Sequence, residues 1–128
     1  MTRLAQLIAL EEGFFHSGTI PAVRHNPGDL RHSPHSQHPG GPAHANDIGT
    51  IDNDAEGWAD LDRQLQLYAQ RGLTLQQTIF EWAPQSDGND PTRYLSAVLL
   101  GFAGAVTAET LLSEVLLIPG APPPSSNA

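Results

Sequence analysis

The chain contains no cysteine, which excludes a disulfide framework and any thiolate metal site and leaves stability to packing alone. Lysine is absent as well. The six basic residues are all arginines, scattered from Arg3 to Arg93, against fourteen acidic ones. A net charge of -8 without a basic cluster excludes recognition of a nucleic-acid phosphate backbone and makes an anionic membrane an equally poor partner. Long apolar runs are missing too: the uncharged stretch from Tyr94 to Ala108 falls short of the ~20 residues that a membrane-spanning helix needs. At the amino end, Gln6 interrupts the apolar run of MTRLAQLIALEEG, and Glu11 and Glu12 stand where a signal peptide needs small residues. That segment is therefore expected to belong to a soluble fold, with any export left to a route this chain does not encode. At 128 residues one domain is expected, large enough to bury about two-thirds of its unfolded surface.

What is present is mostly helical patterning. Leu4, Leu7, Ile8 and Glu11 share one face of a 3.6-residue period, giving a helix over 2–12 that Gly13 can stop. Residues 14–53 are rich in Gly, Pro, His and Asn, with strand-like pieces only near Asp29 to Arg31 and Ile48 to Ile51, so a small irregular β-hairpin lobe is expected. Asp52, Asn53 and Asp54 can cap an amphipathic helix carrying Trp58, Leu61, Leu65 and Tyr68, ended by Gly72. Thr74 and Gln77 form a capping-box pattern for a helix through Trp82, which Pro84 ends. Asp90 and Pro91 open the segment through Phe102, apolar enough to be read as a central buried helix. A last helix is expected over 107–117. The fold class is thus mostly α, with about five helices around a central apolar one. Residues 1–118 form the domain, and the Pro- and Ser-rich tail 119–128 is expected to be disordered.

Two adjacent carboxylates at a helix's carboxyl end oppose its dipole. A carboxylate on an apolar face holds its proton to higher pH, because desolvation disfavours the charged form. Such a group can protonate a leaving glycosidic oxygen, for which lysozyme is the established worked example. Helical periodicity by itself selects Glu11, which falls in line with Leu4, Leu7 and Ile8, while Glu12 lies toward the boundary. The alternative is that both acids are simply solvated at a helix end.

The order of motifs adds to this. Glu12-Gly13-Phe14, then Asn26-Pro27-Gly28-Asp29-Leu30-Arg31, then Glu56-Gly57-Trp58, then Ala83-Pro84 with Asp87, Asn89 and Tyr94, resembles the lysozyme-like superfamily of lytic transglycosylases and phage-type muramidases over about residues 5–104. The resemblance implies an α+β lysozyme-like fold and cleavage of the β-1,4 bond between N-acetylmuramic acid and N-acetylglucosamine in peptidoglycan. It maps the single catalytic acid and base onto Glu12, leaving Glu11 as second choice. It also puts Asn26, Asp29, Arg31 and Tyr94 on the substrate. Asn26 would bond an acetamido group, and Arg31 would pair with Asp29 or a lactyl carboxylate. The family more often has Asn where Asp29 stands. In a transglycosylase Glu12 would deprotonate the muramic acid's own 6-hydroxyl to close a 1,6-anhydro ring; in a hydrolase it would activate water.

Two other readings stand beside this one: the resemblance also allows a catalytically inactive lysozyme-like module that binds glycan or is structural, and composition allows a metal-responsive domain. The second draws on the six histidines, His16, His25, His32, His35, His38 and His44, since clustered imidazoles bind zinc, nickel or copper. The intervening prolines and glycines speak against a preformed site, so no functional metal and no cofactor are expected; adventitious surface binding is the expectation for segment 32–44, and movement as a flap over the cleft is the alternative. An anionic enzyme is poorly steered to an anionic wall. The partner is therefore expected to be peptidoglycan reached through tethering to a larger phage or secretion assembly.

Overall fold

The structure is a computed structural model that describes residues 1–121. Thr2 opens α1 (Arg3–Glu12), its hydroxyl accepting from the Ala5 N–H at 3.1 Å, which satisfies a donor with no partner inside the helix. Leu4, Ala5, Leu7, Ile8 and Ala9 are buried, as the period predicts. Gly13, at φ 84°, ends the helix, and the Phe14 N–H reaches back to the Ala9 carbonyl at 3.0 Å. This left-handed cap turns the chain sharply out of the helical body.

After a one-turn helix, α2 (Ile20–Val23), the long helix α3 (Asp54–Gln70) starts at Asn53, whose side chain accepts from the Glu56 N–H. Helix α4 (Leu75–Trp82) carries the predicted capping box of Thr74 and Gln77 with both hydrogen bonds made. Helix α5 (Pro91–Phe102) is capped by Asp90. The last helix, α6 (Leu112–Val115), is shorter than the expected span over 107–117. Its would-be first turns are used otherwise: Leu112 N–H and Thr110 C=O pair with the backbone of Leu73 and Leu75, forming an isolated bridge between Thr74 and Leu111.

The principal helix contacts run from α5 to α1, α1 to α3, α3 to α6, α6 to α4, and α4 back to α5. These helices therefore close a ring around shared side chains, and none of the helices among the described residues is central to the others. Helix α5 is amphipathic instead: Tyr94, Leu95, Val98 and Phe102 face inward, while Leu100 is 82% exposed. Leu61, Leu65, Leu75, Ile79, Val98, Leu112 and Val115 are fully buried at the middle of the ring. Burial of this shared cluster stabilises the ring at ~25 cal/mol per Å² of apolar surface removed from water.

The lobe formed by residues 13–53 contains no paired strands among the described residues, only an isolated bridge between Gln37 and Thr50. The expected β-hairpin is replaced by turns. Pro34, Pro39 and Pro42 lack the N–H that a ladder requires. Ile51 is the lobe's one fully buried large apolar side chain among the described residues. Polar fastenings add to it, both within the lobe, as from Arg24 to Ile48 and from Asn26 to Gly49, and to α3 through Asp54 and Asp60. At the carboxyl end, residues 119–121 are tied to the amino terminus: Gly120 donates to Met1 and Ala121 exchanges two hydrogen bonds with Gln6. The remainder of the tail expected to be disordered, residues 122–128, lies outside the described residues.

Candidate active site

The sharp exit at Gly13 leaves Glu12 as the last helical residue, at the lip between the helical ring and the lobe. Thr19 pins this exit, its hydroxyl donating to the Gly13 carbonyl at 2.8 Å. Across from α1, Tyr94 near the start of α5 donates its hydroxyl hydrogen to Glu12 Oε2 at 2.7 Å.

Glu12 lines a cleft of about 530 Å³. One wall is the lobe: Gly28, Asp29, Leu30, Arg31, His32 and Ile48. The other belongs to the helices and their links, with Gln64 and Tyr68 from α3, Glu81 and Trp82 from α4, and Asp87 and Asn89 beyond. Tyr68 and Trp82 form an aromatic pair with ring centroids 5.9 Å apart, and Arg71 stands over Tyr68 while gripping Glu81 through two nitrogens at 2.8 and 3.0 Å. Glu12 and Asn89 also line a second cavity of about 310 Å³ with Glu11, Asp90, Arg93 and Tyr94. Glu12 therefore stands at the junction of two cavities, with room for a ligand on either side.

Burial dominates the electrostatics of this acid. Desolvation pushes the Glu12 carboxyl up to about 7, against the lowering effect of the Tyr94 hydrogen bond and with help from the charges of Asp29 and Glu11. Burial also raises Asp29, opposed by Arg24 and Arg31. Tyr94 is held far above its ordinary value, first by burial and then by the Glu12 charge, so it acts only as a hydrogen-bond donor.

Of the residues selected from the sequence, Glu12, Asp29 and Arg31 meet in the larger cleft. Glu11 lines the smaller cavity beside Glu12, and of the two acids it is Glu12 that also lines the larger cleft. Helical period assigns a face, but it does not register that the chain leaves the helix at Gly13 and opens a cavity beside the last residue. Asn26 is corrected. It is fully buried and its amide is saturated, donating to the Leu30 and Gly49 carbonyls at 2.8 Å each and accepting from the Leu30 N–H at 2.9 Å. It is a scaffold residue that ties the Asn-Pro-Gly turn to residue 49. Tyr94 is buried with its hydroxyl committed to Glu12, which makes it a positioning residue. Trp58 is half-buried, stacked edge-on against Phe14 at 5.3 Å. Tyr68, Trp82 and Gln64 had no distinguishing sequence signal: aromatic residues at helical spacing look alike whether they enter a core or a cleft.

Three of the six histidines pair singly with carboxylates: His25 with Asp54 at 2.7 Å, His35 with Asp60 at 2.6 Å, His44 with Asp47 at 3.1 Å. Among the described residues no group of three His, Asp or Glu side chains is placed to hold a metal ion. The start of segment 32–44 is fastened to α3. The nearly buried Asp60 carboxylate of α3 accepts from Ser33 Oγ at 2.5 Å, from the His35 N–H at 2.9 Å and from the His35 ring.

Fold and site together define a mostly helical protein with a desolvated acid at the junction of two cavities. No family model, curated protein or solved structure matches the chain.

Proposed function

We propose that this protein is a lysozyme-like peptidoglycan-cleaving glycosidase, a lytic transglycosylase or muramidase acting on the β-1,4 bond between N-acetylmuramic acid and N-acetylglucosamine. The observation that supports it is Glu12, whose carboxyl keeps a proton to about pH 7 inside a groove that extends to both sides of it. A glycosidic bond seated at that junction would receive the Glu12 proton on its leaving oxygen, and the Glu12 carboxylate would then take a proton from water or from the muramic acid's 6-hydroxyl. Tyr94 would fix the carboxyl's orientation throughout. Tyr68 and Trp82 offer apolar faces for sugar rings, and Arg31 brings a cation to the lobe side. The ordered motifs that resemble the lysozyme-like superfamily select peptidoglycan from among β-linked glycans. Peptidoglycan strands would be the partner and the cell wall the place of action.

The test is muropeptide mass analysis of purified walls digested by the wild type and by Glu12→Gln. Loss of product in the variant by at least 10²-fold is expected for removal of a general acid. Anhydro-terminated ends would identify a transglycosylase, and reducing ends a hydrolase. Equal digestion by both proteins would end the assignment, and glycan affinity without turnover in the wild type would identify an inactive binding module.

A further inference from the structure

Glu12 and Asn89 are the two residues, among those described, that line both cavities. A ligand reaching from the larger cleft into the smaller cavity therefore passes the acid at the end of α1 and the amide on the link between α4 and α5. The link is shaped to present that amide. A single 3₁₀ turn, Gln85–Asp87, ends at Gly88 in the left-handed region, φ 83°, and Asn89 follows before Asp90 caps α5. Asn89 is exposed, and the fold makes little use of its side chain. Its Nδ2 reaches the Pro84 carbonyl at 3.4 Å, beyond the ~2.7–3.2 Å of an ordinary N–H···O bond, and its Oδ1 has no protein partner among the described residues. Asn26 is the opposite case, buried with its amide spent on the turn. The smaller cavity is rich in acceptors, with Glu11 and Asp90 on its wall and the Tyr94 hydroxyl hydrogen already given to Glu12. Donors there come from Asn89 and Arg93. Of these the amide is neutral, so it can sit beside Glu12 without favouring the ionised carboxylate as a cation would.

We infer that Asn89 is a specificity-determining residue whose Nδ2–H donates to the carbonyl of a 2-acetamido group on a sugar next to the scissile bond. This rests on the glycan reading of the site and adds to it which substituent is read and from which element. An acetamido carbonyl is an acceptor that a plain hydroxyl or an ammonium at the same carbon does not replace. The ammonium of a de-N-acetylated sugar is a donor only, so it meets the Asn89 amide donor to donor. A site that bonds one group of its substrate discriminates against the analogue without it. Asn89 is exposed, so water takes the place of a lost partner and the single bond is worth about tenfold in affinity, far less than a buried pair.

The experiment is calorimetry on Glu12→Gln, which removes turnover, alone and combined with Asn89→Ala or Asn89→Asp. The ligands are a peptidoglycan-derived tetrasaccharide and the same tetrasaccharide de-N-acetylated. Asn89→Ala is expected to bind the acetylated ligand about tenfold more weakly than its parent, to bind the de-N-acetylated one within about twofold of it, and to melt no lower. Asn89→Asp keeps the shape and exchanges the donor for an acceptor. It is expected to weaken the acetylated ligand at least as much and to strengthen the amine-bearing one. Ser86→Asp adds the same charge to the link outside both cavity linings and is expected to do neither. Binding of the acetylated ligand by Asn89→Ala within about twofold of the parent overturns the inference alone. An equal loss for both ligands, a clear drop in melting temperature, or a response to Ser86→Asp equal to that of Asn89→Asp overturns it as well, since each assigns the effect to the link's shape or charge. A parent that does not bind the acetylated tetrasaccharide overturns the glycan reading and this inference together.

Discussion

The Tyr94 hydroxyl, delivered by α5, donates to the Glu12 carboxyl at the end of α1 across 2.7 Å, so one acid is both removed from water and held in place. Desolvation and hydrogen bonding pull its proton affinity in opposite directions, and desolvation wins.

Tyr94→Phe removes the hydrogen bond that favours ionised Glu12 while keeping the ring in the core. The Glu12 carboxyl is then expected to hold its proton to still higher pH, and the fall in activity that accompanies its ionisation should move to higher pH. The loss of orientation should cost about tenfold or more in rate. A pH–rate profile of muropeptide release checks both. A profile with an unchanged alkaline limb would separate Tyr94 from the acid's ionisation.

Glu12 also opposes stability at neutral pH. Its folded value, about 7, lies above the ordinary 4.5, so between those values the folded chain binds more protons than the unfolded one and stability falls as pH rises. Glu12→Gln has no such charge to bury. It should be more stable than wild type at pH 8 by an amount on the order of 2 kcal/mol, after discounting for partial exposure, and equal to it near pH 4. Urea midpoints at the two pH values measure this. A variant that is less stable at pH 8 would contradict the desolvated carboxyl.

The Asp60 clip gives the lobe a different pH window. His35 is raised, first by its hydrogen bond to Asp60 and further by the charges of Asp60, Glu56 and Asp52, so its contribution is fully present below the ordinary 6.5 and lost as pH climbs through the raised value. For Asp60, burial pushes upward but the bonds from Ser33 and His35 outweigh it, so its contribution is present above the ordinary 3.8 and lost as pH falls through the lowered value. The clip is therefore strongest between about 4 and 6.5. Asp60→Asn should cost about 1–3 kcal/mol near pH 6, because it removes a charged acceptor from three donors. It should also raise hydrogen exchange at residues 33–37 before the ring of helices is affected. Unaltered exchange there would show that the lobe is held by other means.

Gly57 is where α3 runs against the lobe backbone: a Cβ there would collide with the His25 carbonyl and press Pro27. Gly57→Ala gains up to about 1 kcal/mol in helix propensity. Backbone cannot yield as a side chain tip can, and overpacking costs about 1–3 kcal/mol, so net destabilisation and a displaced lobe wall are expected. The denaturant midpoint should fall together with glycan affinity. Thr74→Ala, which removes only the capping box of α4, should lose about 1 kcal/mol of stability with affinity unchanged.

Local chemistry alone determined most of the helices here. Thr2, Asn53, Thr74 and Asp90 are starting signals whose side chains have one backbone donor to satisfy, and Gly13 is a stop that needs a positive φ. The apolar faces of α1, α3 and α4 follow from their period, which is why the core was legible. Proton affinity and cleft membership depend on what approaches from elsewhere in the chain. Tyr94 reaches Glu12 from 82 residues away, and no period could prefer Glu12 to Glu11 on that account. Burial of Asn26, the closed ring in place of a central helix, and the convergence of Ser33 and His35 on Asp60 belong to the same class. Each depends on the relative placement of elements, and desolvation exists only once those elements have come together.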